Sequence, residues 1–110
     1  MKAIVLSCDK YHPMAHHMLL TYQDKWSSNN FQFRIPYNQS IPEDIERDFD
    51  DCVEFVHTEA PFKKTVSALI NDLDDTEWVY WCIDDKYLIS IDEIKANMVR
   101  EFVDQIQDPN

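Results

Sequence analysis

The sequence predicts an α/β fold: a three-layer, mostly parallel sheet in strand order 3-2-1-4, with helices on both faces. Three observations predict it. Four short apolar runs recur along the chain, each bounded by polar or turn-forming residues. Segments with helical apolar spacing separate and follow them, giving the element order βαβαβαβα of a parallel sheet. The chain has 110 residues, which suits one domain, 1–110, and not two.

Each element has its own reason. "AIVLS" (Ala3 to Ser7) is wholly apolar until its last residue, as in a strand covered on both faces. "PMAHHMLLTYQDKW" predicts a helix from Pro13 to about Trp26, with Pro13 in its first turn. "FQFRIPY" (Phe31 to Tyr37) alternates apolar and polar residues, and Pro36 suggests a strand close to a sheet edge. Ser40 and Glu43 have capping-box spacing, and Ile41, Ile45 and Phe49 then recur every four residues in a short helix to about Asp50.

"CVEFVH" (Cys52 to His57) is the third strand. Pro61 opens a third helix whose apolar stripe is Phe62, Val66, Leu69, Ile70 and Leu73. "EWVYWCI" is the fourth strand, apolar on both faces and therefore expected to be central, with Trp78, Tyr80 and Trp81 in the core. Ser90 and Glu93 form a second capping box. The last helix then carries a stripe of Ile91, Ile94, Met98, Phe102 and Ile106.

Composition excludes several functions. The formal charge is −11, from 21 acidic against 10 basic residues. A chain this acidic is repelled by nucleic-acid phosphates and anionic lipid, so no nucleic-acid partner is expected. Glycine is absent, although average usage of about 7% would supply seven or eight. A dinucleotide fingerprint and a P-loop both need glycine for close approach to phosphate, so neither is present. Turns must use Asn and Asp, and Asn29-Asn30 and Asp74-Asp75 stand where helices are expected to end. The apolar run near the amino terminus is too short for a membrane span or a signal core, so no membrane insertion is expected. Cys8, Cys52 and Cys82 lack metal-ligand spacing and read as reduced thiols of a cytoplasmic protein. His12 and His16 are four apart, but Pro13 disfavours helical geometry at His12, and no third ligand stands nearby.

In open α/β sheets ligands bind beyond the carboxyl ends of the strands, where the strand order reverses. With order 3-2-1-4 that crevice lies between the first and fourth strands. "SCDKYHP" (Ser7 to Pro13) and "IDDKYLI" (Ile83 to Ile89) then face each other, bringing Asp9, Asp84 and Asp85 together with Lys10 and Lys86. Three carboxylates there would suit Mg²⁺ or Mn²⁺ carrying a phosphate.

"SCDKY" after the first strand and "FKKTVSALINDLDDTEWVYWCIDDKYLI" further on, in this element order, resemble the amino-terminal, nucleotide-binding half of GT-A-fold glycosyltransferases. The resemblance is closest to a bacterial group with a "DKY"-like loop and a "DDyfl"-like motif. It implies binding of a nucleotide-diphosphate sugar. The nucleoside would be gripped by Ser7, Cys8, Asp9, Lys10 and Tyr11, and Asp84 and Asp85 would hold the metal and diphosphate. The family's usual Asp-x-Asp reads Asp84-x-Lys86 here, so that Asp85 substitutes or Lys86 neutralises phosphate directly. The resemblance also implies a domain incomplete relative to a full glycosyltransferase, with no catalytic base to name. The competing expectation is a non-catalytic acidic α/β interaction module, which self-associates as a homo-oligomer or pairs with another chain to cover an apolar edge.

Overall fold

The computed structural model describes residues 1–84, 86 and 92–107. Four parallel strands, β1 (Lys2–Leu6), β2 (Gln32–Tyr37), β3 (Val53–His57) and β4 (Val79–Ile83), form one sheet in the order β3-β2-β1-β4. The helices are α1 (His12–Lys25), α2 (Glu43–Phe49), α3 (Phe62–Ile70) and α4 (Glu93–Gln107), and a 3₁₀ turn at Asp9–Tyr11 precedes α1. The α/β architecture and strand order expected from the sequence are those observed. No helix among the described residues is long and apolar enough to cross a membrane.

Strand parity divides the core. Ala3 and Val5 of β1, Phe33 and Ile35 of β2 and Cys82 of β4 join Ala15, Met18, Leu19, Tyr22 and Trp26 of α1 and Ile45 and Phe49 of α2 in one buried cluster. The α1 contribution recurs at helical spacing, so one stripe of that helix lies on the sheet. Residues of opposite parity face α3. Ile4 is fully buried there, and Arg34 is buried with its guanidinium bonded to the Leu69 carbonyl at 2.9 Å, to Asp72 at 2.6 and 3.0 Å and to Glu54 at 2.6 Å.

Arg34 also accounts for the end of α3. The stripe predicted a helix through Leu73, but α3 stops at Ile70, where the Arg34 side chain satisfies a carbonyl of its last turn. Asp74 instead turns the chain toward β4, accepting from the Thr76 backbone N–H at 3.1 Å. After α1, the Asn29 side chain donates to the Trp26 carbonyl at 2.6 Å and accepts from the Phe31 N–H at 3.1 Å, which makes the turn without glycine.

β2 lies beside edge strand β3, close to a sheet edge as expected. Its register with β1 runs from Lys2–Gln32 to Ile4–Arg34, so Pro36 lies beyond that pairing and withholds no ladder donor from β1. Four expectations are corrected. β4, expected to be central, is the edge strand: order 3-2-1-4 leaves nothing beyond it among the described residues, and Trp81 is 47% exposed. Phe62, assigned to the buried stripe of α3, is 70% exposed at the first turn. Ser40 does not cap α2, which starts after Pro42 without a side-chain cap bond. Finally, α4 turns Ala96 inward against the core cluster, while Ile94, Met98 and Phe102 face solvent. Ser90 and Ile91, the start expected for that helix, lie outside the described residues.

Candidate functional site: the cleft at the carboxyl ends of β1 and β4

The parallel sheet delivers the ends of β1, β2 and β4 to one edge. Beyond β1, Ser7 and Cys8 lead into the Asp9–Tyr11 turn, which closes with a Tyr11 N–H to Cys8 carbonyl bond of 2.9 Å. Beyond β4, the Asp84 N–H reaches the Leu6 carbonyl at 3.4 Å, carrying the β1–β4 pairing one step further. This places the Asp84 carboxylate beside Ser7, whose hydroxyl donates to Oδ2 at 2.8 Å. The two strand ends are thus tied by one side-chain bond.

Between them opens a cleft of about 480 Å³. Ser7, Cys8 and Tyr11 line it beyond β1, and Ile83 and Asp84 line it at the end of β4. Asn38 enters from the end of β2, and Phe62 and Thr65 enter from the first turns of α3. The exposed rings of Tyr11 and Phe62 stand at this cleft. Its back is held rigidly: the Asn38 side chain donates to the Thr58 carbonyl at 2.8 Å, and the Thr65 hydroxyl donates to the Glu59 carbonyl at 2.7 Å.

The structure therefore brings four of the predicted site residues, Ser7, Cys8, Tyr11 and Asp84, to one cleft. The other predicted residues behave differently. Asp9 does not line it. Its carboxylate accepts from the backbone N–H groups of Asn38 and Gln39, both at 2.8 Å, and so ties the first loop to the β2–α2 loop. Burial pushes this carboxyl up, but the backbone N–H donors Asn38, Gln39 and Ser40 outweigh it and hold the pKa below the usual carboxylate value. Lys10 extends its ammonium over the Tyr11 ring, 5.5 Å from the centroid. Lys86 is exposed at the turn after β4, its N–H bonded to the Ile83 carbonyl at 2.9 Å. Asp85 lies outside the described residues.

Among the described residues, no group of three or more His, Cys, Asp or Glu side chains is placed to hold a metal ion. The two histidines four apart have separate structural partners. His12 is buried and helical despite preceding Pro13, because its Nε2 bonds the Pro36 carbonyl at 2.9 Å. His16 bonds Asp48 of α2 at 2.8 Å, and Asp48, held first by Arg47 and then by His16, has its pKa lowered to about 2. The cysteines are all free thiols. Burial pushes Cys82 up to about 12, leaving it an inert core residue; Cys8 is half-buried at the cleft.

Sequence reasoning missed Asn38, Thr65 and Phe62. A signal for Asn38 existed, since it directly follows β2 and must emerge at the same sheet edge. Phe62 was hidden by its helical spacing with Val66 and Leu69, which matched a core stripe. No protein-family model, curated protein or solved structure matches the chain.

Proposed function

We propose that this cleft binds the nucleotide of a nucleotide-diphosphate sugar, and that the chain acts as the donor half of a glycosyltransferase. The observation that carries the reading is the meeting of Ser7, Cys8, Tyr11 and Asp84 where the strand order reverses, the place where open α/β sheets bind ligands. The volume of about 480 Å³ lies in the range of small-molecule sites. Tyr11 and Phe62 offer ring faces for a base, and the Asp84 carboxylate and Ser7 hydroxyl offer acceptors for ribose hydroxyls.

The described residues form no self-sufficient metal cage, but a Mg²⁺ or Mn²⁺ ion needs only one or two carboxylates when substrate phosphates complete its shell. Asp84 meets that minimum, with Asp85 next in sequence. Such an ion, arriving with the diphosphate, would neutralise charge on the leaving nucleotide. No side chain is assigned as a catalytic base.

Thermal melting with UDP or GDP, with and without Mn²⁺, tests this. Ligand at 100 times its dissociation constant adds about 2.7 kcal/mol, worth about 10 °C in a domain of this size. Tyr11→Ala and Asp84→Asn should each reduce the rise, and Asp84→Asn should remove its Mn²⁺ dependence. A midpoint unmoved by either nucleotide under any metal condition would end the reading.

A further inference from the structure

The outward face of α4 carries the most exposed run of large apolar side chains on one helix among the described residues. Ile94, Met98 and Phe102 stand four residues apart and are 75%, 63% and 62% exposed, and Val99 beside them is also exposed. The inward side of the helix is already occupied. Ala96 packs on the core, Asn97 accepts from the Trp26 indole N–H at 2.8 Å, and Glu93 accepts from the Ser28 hydroxyl at 3.2 Å. Arg100 bridges to Asp104 at 3.5 Å. The inward side is thus closed by Ala96 and by polar contacts, and the large apolar side chains lie on the outward side.

We propose that α4 is a self-association surface, and that its occupant is a second copy of this chain. The first argument is shape. Residues at i, i+4 and i+8 form a single ridge, and two such ridges interdigitate when identical helices cross at about 50°. The second argument is charge. At about 100° per residue, Lys95 and Glu101 flank Met98 on opposite sides, each about 60° away. Both are exposed and of opposite sign. A two-fold axis running along the paired helices puts Lys95 of one copy on the same side as Glu101 of the other, about 9 Å along the axis. That is within reach of two long side chains. The net charge of −11 does not enter this face, and charges further away are screened over about 8 Å at physiological ionic strength. A strongly basic partner would find no row of acids here to meet.

The third argument is size. Four such side chains make a patch on the order of 400 Å², about half of the roughly 800 Å² that each partner contributes to a standard interface. The pair is consequently reversible and dependent on concentration, and the monomer keeps its fold.

Light scattering and sedimentation from low-micromolar to sub-millimolar concentration read this directly. The wild-type mass should rise from one chain toward two. Met98→Glu, at an exposed position, should remain one chain at every concentration while its circular dichroism and melting midpoint at low concentration match wild type. Lys95→Glu sets like charges together and should weaken association about tenfold; adding Glu101→Lys should restore it. A wild-type chain that stays monomeric throughout overturns the proposal. So does association that survives Met98→Glu, which would move the surface elsewhere, to the β4 edge, or a double variant that fails to recover. Melting with UDP or GDP in the same variants should be unaffected by these changes, so failure here and failure of the nucleotide site are read separately.

Discussion

Two tryptophans show how differently this molecule treats the same side chain. Trp26, at the end of α1, is 4% exposed; its ring stacks with or meets edge-on those of Tyr22, Phe31 and Tyr80, and its indole N–H reaches Asn97 at 2.8 Å. Trp81, in the middle of β4, is 47% exposed. By residue type and local pattern Trp81 had the stronger claim to burial, because it sits inside the most apolar run of the chain. What separates them is topology. Trp26 closes the end of a helix lying across the sheet, whereas Trp81 has the parity opposite to Tyr80 and Cys82, on the last strand of the sheet, away from β1, β2 and β3, over which α3 chiefly packs. Hydrophobicity supplies the means of burial, and the order of the strands decides which residues receive it.

Alanine at each position gives the largest effect and the sharpest form of the comparison. Trp26→Ala removes a ring from a packed aromatic cluster and breaks the bond that holds α4, so it should cost about 4 kcal/mol in urea unfolding. Trp81→Ala should cost about 1 kcal/mol or less, as at a half-exposed site with no cavity to leave. Equal losses would mean that the β4 face is covered in solution and that the edge is not an edge.

The same contrast explains what could be read from the sequence. The four strands and the four helices were legible, because short apolar runs alternate with helical stripes; the order 3-2-1-4 is one of the few topologies that this alternation leaves, and no residue singles it out. Four cleft residues were legible for a related reason: Ser7, Cys8, Tyr11 and Asp84 follow the strand ends that the topology brings together. Edge and centre were not legible. An apolar strand such as "VYWCI" looks the same at either place, and the stripe on α4 is on the surface because Ala96 and Asn97, not the larger residues, fit against Trp26 and the core. Nor was Arg34 legible, since a single charge within "FQFRIPY" reads as the solvent side of an alternating strand. In the structure that side faces α3.

Arg34 is the next test, two strands from Trp81 in the same row of the sheet. The α3 face there is closed by a buried guanidinium, which Asp72 foremost and then Glu54 hold in its charged form. Arg34→Met keeps most of the side-chain volume but leaves the Leu69 carbonyl and the Glu54 carboxylate without this donor. Both carboxylates are partly exposed and can rehydrate, so the loss should be about 2 kcal/mol, below the range for a fully buried pair. Hydrogen exchange should show the last turn of α3 opening first. An unchanged turn would mean that the helix ends there for reasons of its own sequence.

A smaller effect than that of Arg34 belongs to Asp9, and it carries a pH signature that packing residues lack. The carboxylate joins the loop after β1 to the loop after β2 through backbone donors, and its folded pKa lies below the usual value of about 3.9. A group with a depressed folded pKa stabilises the fold above its unfolded pKa, and that contribution is lost as pH falls through the lower folded value. Asp9→Asn should therefore cost about 1 kcal/mol at neutral pH, with the gap to wild type closing below about pH 4. If the gap is the same at pH 7 and at pH 3, the charge on Asp9 is not what holds the two loops. The residue would then be free to turn toward the cleft, as the sequence alone had placed it. In that case nucleotide-induced stabilisation should fall in Asp9→Asn as it does in Asp84→Asn; with the tie intact, nucleotide binding should survive the change.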